Sequence, residues 1–187
     1  MTPGLPDALT RSDLPLAELA SARLDGELFQ QADAWLPIDT ADSPTSRARS
    51  LRMMAPPNAV AERRTAAWIY GLGSEPSRHQ FSVDVHHRSR KPDDPRFQLR
   101  EVLLDRRETV SVGGLGLTTP LRTAADLARW GAGTGEPTDV ELLARVLRYG
   151  GIDTAAFLRQ LARRPRAAFN KVALVRLAEA DRWLAAP

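Results

Sequence analysis

The chain has 187 residues, 43% of them hydrophobic, enough for one ordinary domain with a real core, or for a domain plus a small appendage. It has no cysteine, which excludes disulfides and thiolate metal sites. No apolar run approaches the ~20 residues needed to cross a bilayer, and Met1 to Leu9 lacks the basic start and apolar middle of a signal peptide, so a cytoplasmic protein without membrane contact is expected. The formal charge is +3 and the pI is near 9.9, which suggests an acidic partner, although an arginine- and alanine-rich composition is also what a GC-rich genome writes by default. Of 26 basic residues only Lys91 and Lys171 are lysines. Residues 1–50 carry four arginines against eight acids, a net of −4, so residues 51–187 hold +7. The positive field belongs to the body of the protein.

Ser12 or Asp13 is expected to cap a first helix that contains Pro15, presents Leu16, Leu19 and Ala20, and ends by Arg23. Two short strands follow, Glu27 to Gln31 and Ala34 to Ile38, joined through Ala32-Asp33. A helix and then a hairpin is the outline of the last part of a winged helix-turn-helix without its earlier helices. It is equally the outline of a small cap that covers a hydrophobic face. Ser43-Pro44 starts a helix that carries Arg47, Arg49, Leu51 and Arg52, and Pro56-Pro57 ends it. Asn58 to Glu62 reads as a brief strand, and Arg64 to Tyr70 as a helix closed by Gly71.

The period then changes from helix to strand. Phe81, Val83 and Val85 alternate with polar residues, Lys91 to Pro95 is a solvated turn, and Phe97, Leu99, Glu101 and Leu103 mark a second strand. Val110 and Val112 lead to Gly113-Gly114, which supplies the positive φ of a tight turn, and Leu115 and Leu117 resume the alternation. Thr118 or Thr119 can cap the next helix, Pro120 suits its first position, and Leu121, Ala124, Ala125, Leu127 and Ala128 form its apolar stripe. After Gly131 a bridge runs to Pro137. Three further helices follow: one from Pro137 or Thr138 to Gly150-Gly151, one capped by Asp153 and broken at Pro165, and one from about Arg166 to Leu184. The expected fold is α+β, with a degenerate winged-helix-like N-terminus over 1–42, a core over 43–131 whose central sheet is mainly antiparallel and flanked by helices, and a helical C-terminus over 137–187.

Candidate chemistry is sparse. His86 and His87 are neighbours on a strand and point to opposite faces, so with His79 they make a poor metal site. A restriction-type nuclease needs a strand acid followed on the next strand by acid-x-Lys. Asp84 and Glu101 are strand carboxylates, and no lysine stands two residues after either. There is no phosphate loop and no nucleophile elbow. No catalytic residue, cofactor or metal is expected, and the chain reads as non-enzymatic. Two basic clusters remain, Arg47, Arg49, Arg52, Arg63 and Arg64 near the first junction, and Arg159, Arg163, Arg164, Arg166 and Lys171 near the last. The arginine fork is a good phosphate clamp at a helix end, and each cluster reads equally as a solvated helix face.

Ala59-Val60-Ala61-Glu62-Arg63-Arg64-Thr65-Ala66-Ala67-Trp68-Ile69-Tyr70-Gly71, followed by strands and then Leu117-Thr118-Thr119-Pro120-Leu121-Arg122-Thr123-Ala124-Ala125-Asp126-Leu127-Ala128-Arg129, resembles the AbiEi family of actinobacterial type IV antitoxins and transcriptional regulators. The resemblance covers roughly residues 45–130. It implies an N-terminal winged helix that binds promoter DNA, an α/β domain, repression of the protein's own operon and a nucleotidyltransferase-like toxin as partner. Members of the family begin with two or three helices before the wing. Here Leu16 to Ala22 is the helix available, and its outward residues, Glu18, Ser21 and Arg23, are poor material for reading bases. DNA contact is therefore expected mainly through phosphates, at Arg47, Arg49, Arg52, Arg63, Arg64, Arg163, Arg164 and Arg166. Of the motif residues, Arg122 and Asp126 are four apart on one helix and can pair there in a structural role. The alternatives are a protein-interaction module that has lost DNA binding and, third, a remnant nuclease-like domain.

Overall fold

Thr10 and Asp13 make the first turn. The Asp13 carboxylate accepts from the Thr10 amide (2.8 Å) and hydroxyl (2.7 Å), so it closes a turn ahead of the first helix and does not cap the helix itself. In the computed structural model, which describes residues 8–86, 94–130, 138–164 and 168–185, that helix is α1, Leu16–Leu24, with Pro15 at its N-cap position and no side-chain cap. Strands β1 (Leu28–Gln31) and β2 (Ala34–Pro37) pair antiparallel, Leu28 opposite Pro37. Ala32 turns the chain at φ 51°. Leu9 adds an isolated bridge to Trp35, with N–O distances of 2.8 Å in both directions. Leu9, Leu19, Leu28 and Trp35 close into a small core of their own.

Helix α2, Pro44–Arg52, begins as its sequence dictates. The Ser43 hydroxyl accepts from the Ser46 amide (3.1 Å) and the Ser46 hydroxyl accepts from the Ser43 amide (2.9 Å), a reciprocal cap with Pro44 just inside. The main sheet comprises β3 (Val60–Ala61), β4 (His79–Asp84), β5 (Phe97–Val102), β6 (Thr109–Val112) and β7 (Leu115–Thr118), in the order β5-β4-β3-β7-β6. Helix α3, Arg63–Ile69, follows β3, a 3-10 turn at Arg106–Glu108 precedes β6, and α4, Pro120–Trp130, follows β7. The C-terminal helices are α5 (Thr138–Tyr149), α6 (Thr154–Ala162) and α7 (Asn170–Ala185).

The α+β architecture, a central sheet flanked by helices, stands as expected; the strand directions do not. The sheet is mixed: β3–β4 and β6–β7 are antiparallel, whereas β3–β7 and β4–β5 are parallel. Alternation reveals a strand but not its direction, and the stretch between β4 and β5 is long enough to carry the chain back for a parallel pairing. The expected bridge at 131–137, the Lys91 to Pro95 turn as far as Asp93, and Pro165 with Arg166 lie outside the described residues.

Register sorts the sheet into two faces. Ala61, Phe81, Leu99 and Leu117 align on one, and Val60, Ser82, Arg100 and Gly116 on the other. The first face builds a core with Ala48 and Leu51 of α2 and Ala66, Trp68 and Ile69 of α3. A second core joins Ala124, Ala125, Leu127 and Ala128 of α4 to Leu143 and Leu147 of α5, Phe157 of α6 and Leu177 of α7. Gly113 and Gly114 let α2 close on the β6–β7 turn. Both have positive φ, and a Cβ on Gly113 would stand 2.8 Å from the Thr45 carbonyl oxygen. Among the described residues no helix is long and apolar enough to cross a membrane.

Candidate nucleic-acid interface

Of the eight arginines expected at phosphates, the structure turns several inward. Arg47 of α2 is spent locally: its Nε donates to Asp42 Oδ1 (2.7 Å), its second terminal nitrogen pairs with Asp42 Oδ2, and the first donates to the Trp68 carbonyl (2.7 Å). Arg49 and Arg52, on the same helix, are exposed. Arg52 lies over the hairpin turn, its guanidinium against Gly114. The Arg64 amide donates to Gln80 Oε1 (3.1 Å), and Arg64 lines a cleft of about 370 Å³ with Arg145, Glu75 and Glu141. Arg163 is exposed at the end of α6. Arg166 lies outside the described residues.

Arg63 is buried, 7% exposed, and held at φ 49° in the left-handed region, a conformation that persists only where its surroundings enforce it. They do. Its Nε donates to Glu62 Oε1 (3.0 Å) and a terminal nitrogen to Gln98 Oε1 (3.3 Å). Glu62, fully buried, also takes both Nε and a terminal nitrogen of Arg100 at 2.7 and 2.6 Å. Burial lowers the Arg63 pKa, against the attraction of Glu62. A guanidinium so placed does not touch a duplex, so Arg63 is withdrawn from the interface expected of it.

Arg164 is half withdrawn in the same way. It donates to the Leu103 carbonyl and to Glu108 Oε2 (3.0 Å). Glu108, 4% exposed, pairs also with Arg122 and accepts from Gln160 Nε2 at 2.7 Å. Arg122 Nε reaches Asp126 Oδ2 at 2.7 Å, the i,i+4 pairing expected on α4. Arg129, also buried, lies 3.7 Å from Asp126 Oδ1 and donates from Nε to Asn170 Oδ1 (2.9 Å). Burial alone lowers the Arg122 pKa, and Asp126 and Glu108 raise it on balance. For Arg129 and Arg164, burial prevails and the pKa falls. Glu62, Glu108 and Asp126 thus serve as buried counter-ions for arginines from α3, β5, α4 and the end of α6. This network locks helices to the sheet. Sequence reasoning found its Arg122–Asp126 pair and missed the Glu62–Arg100, Glu108–Arg164 and Arg129–Asn170 contacts, whose partners lie far along the chain.

The hydrogen bond from Arg47 holds the Asp42 carboxyl below the usual carboxylate range, with partial burial opposing it and Gln31 assisting. A depressed folded-state pKa contributes stability above the unfolded value, ~3.9, that is lost as pH falls through the folded value. The Asp42→Asn variant should therefore lose stability at neutral pH and melt with a flatter acid limb than the parent between about pH 5 and pH 2. Asp42 is 56% exposed, so screening keeps the effect small and added salt should shrink it. Parallel thermal melts across that range would check this, and superimposable curves would contradict it.

Asp84 and Glu101 are not arranged for a nuclease. The register sets Glu101 beside Val83 and Asp84 beside Val102, which puts the two carboxylates on opposite faces. Asp84 instead accepts from the His86 (2.8 Å) and Leu104 (3.0 Å) amides, tying the strand ends. His79 is buried against Glu75 at 3.4 Å, His86 is exposed, and His87 lies outside the described residues. Among the described residues no three His, Cys, Asp or Glu side chains group as a metal site. No protein-family model and no curated protein matches this chain.

Proposed function

We propose that this chain is a non-enzymatic antitoxin or transcriptional regulator of the AbiEi type, cytoplasmic, that binds promoter DNA mainly through phosphate contacts, represses its own operon and has a nucleotidyltransferase-like toxin as candidate partner. The observation that carries the reading is the N-terminal unit. A bridge at Leu9, helix α1 and the β1–β2 hairpin, closed on Leu19, Leu28 and Trp35, follow one another in the order of the closing part of a winged helix. Helix α2, which packs on β2, adds exposed Arg49 and Arg52 three positions apart and hence on one face.

Fluorescence anisotropy with the protein's own promoter fragment and an unrelated duplex of equal length tests this. Promoter-selective binding that weakens steeply with salt is the expected result, since each neutralised phosphate releases counterions. Absence of binding to either duplex at low salt would overturn it. The second reading, a protein-interaction module, is favoured by exposed apolar residues on the C-terminal helices: Leu158 on α6, and Leu174 and Val175 on α7, the last 60% exposed.

A further inference from the structure

Arg106 and Arg107 precede β6, and Arg159 and Arg163 belong to the far end of α6. Nothing in the sequence connects them. Glu108 does so in space. From the 3-10 turn its Oε1 takes the Gln160 side-chain amide at 2.7 Å and its Oε2 takes Arg164 at 3.0 Å, while Arg164 also reaches the Leu103 carbonyl. Because Glu108 is buried, this seam is held from beneath. Arg106 and Arg107 stand next to Glu108 in the chain, Arg159 next to Gln160 and Arg163 next to Arg164, and all four are exposed. The fold therefore brings together two stretches of chain separated in sequence by β6, β7, α4 and α5, each with exposed arginines next to the residues in contact.

Little opposes that charge. Glu108 is already engaged by Arg122, Arg164 and Gln160. Asp105, exposed beside the turn, accepts from the Arg107 amide at 2.9 Å and sets one negative charge against the four arginines. Every cation in the patch is an arginine, whose fork takes two oxygens at once and suits phosphate. Arg159 and Arg163 are one helical turn apart, about 6 Å along the axis, close enough to meet nearby phosphates of one strand. From this juxtaposition we infer that the seam between the Arg106–Glu108 turn and α6 is a docking surface for the phosphodiester backbone of double-stranded DNA. The inference rests on the DNA-binding reading above and places a backbone contact away from the N-terminal unit.

The test compares two variants of the full chain by anisotropy on the promoter duplex across a salt series, R106Q/R107Q/R159Q/R163Q and R49Q/R52Q. All the substituted side chains are exposed, so thermal midpoints should match the parent. If each of the four arginines meets a phosphate, the slope of log affinity against log salt should become shallower by about 3 to 4 in the quadruple variant, and affinity at 0.1 M salt should fall at least about tenfold. A quadruple variant that keeps the parent slope while R49Q/R52Q loses it overturns the inference and leaves the DNA-binding reading standing. Failure of the parent to bind duplex at low salt removes both. A parent that binds poly-glutamate as tightly as duplex at equal charge concentration, with the quadruple variant losing both, would make the occupant an acidic protein surface and overturn the assignment to DNA.

Discussion

Replacing Arg122 with methionine should lower the free energy of unfolding by about 3–5 kcal/mol, the usual cost of removing one partner from a buried ion pair. Arg122 is 1% exposed and is the member of the network that touches both Asp126 and Glu108. Methionine restores much of the volume and none of the charge. Asp126 retains Arg100 and Arg129 only at 3.8 and 3.7 Å, beyond hydrogen-bond range, and Glu108 retains Arg164 and Gln160. For a chain of this length the loss corresponds to a fall of roughly 10 °C in melting temperature. Urea titration followed by circular dichroism would measure it, with R49Q as a surface control expected to stay within about 0.5 kcal/mol. A loss under about 1 kcal/mol would mean that the cost of dehydrating the network cancels its attraction.

That network also explains where sequence reading stopped. The β6–β7 hairpin and α4 were legible because their determinants are local: Gly113-Gly114 at positive φ, and Thr119, whose hydroxyl accepts from the Arg122 amide at 3.3 Å. The Ser43 cap of α2 and the Asp153 cap of α6, which accepts from the Ala156 amide at 2.6 Å, were legible for the same reason. Asp13 misled because three residues of spacing suit a turn onto Thr10 as well as a helix cap. Strand direction was hidden in the connection between β4 and β5. The inward arginines were hidden most deeply. An unpartnered guanidinium belongs in water, and only the fold, which sets Glu62 against Arg63 and Arg100 and Glu108 against Arg122 and Arg164, makes their burial tolerable. Composition located the positive charge in the body of the chain. It could not divide that charge between the surface, as at Arg49, Arg52 and Arg163, and the interior, as at Arg63.

Truncating Phe157 to alanine should also lower stability by about 3–5 kcal/mol, the range for a large buried aromatic, and the form of the transition carries as much information as its size. Phe157 is fully buried on α6, in a core shared by α4, α5, α6 and α7. Helix α4 is not free to leave with the C-terminal helices. Its Arg122 is tied to Glu108 ahead of β6, and its Ala124, Ala125, Leu127 and Ala128 would be uncovered if α5, α6 and α7 departed. At about 25 cal/mol per Å² of apolar surface exposed, melting the helical end alone would sacrifice packing on both sides of the boundary. The loss at Phe157 should therefore propagate through α4, and the whole chain should unfold in one transition at lower urea. The helix signal by circular dichroism and the fluorescence of a variant retaining only Trp68, which belongs to the sheet core, should then shift together. Two separated transitions, with the Trp68 signal unmoved by F157A, would instead make residues 137–187 a folding unit of their own, and the ion pairs on α4 a seam between units.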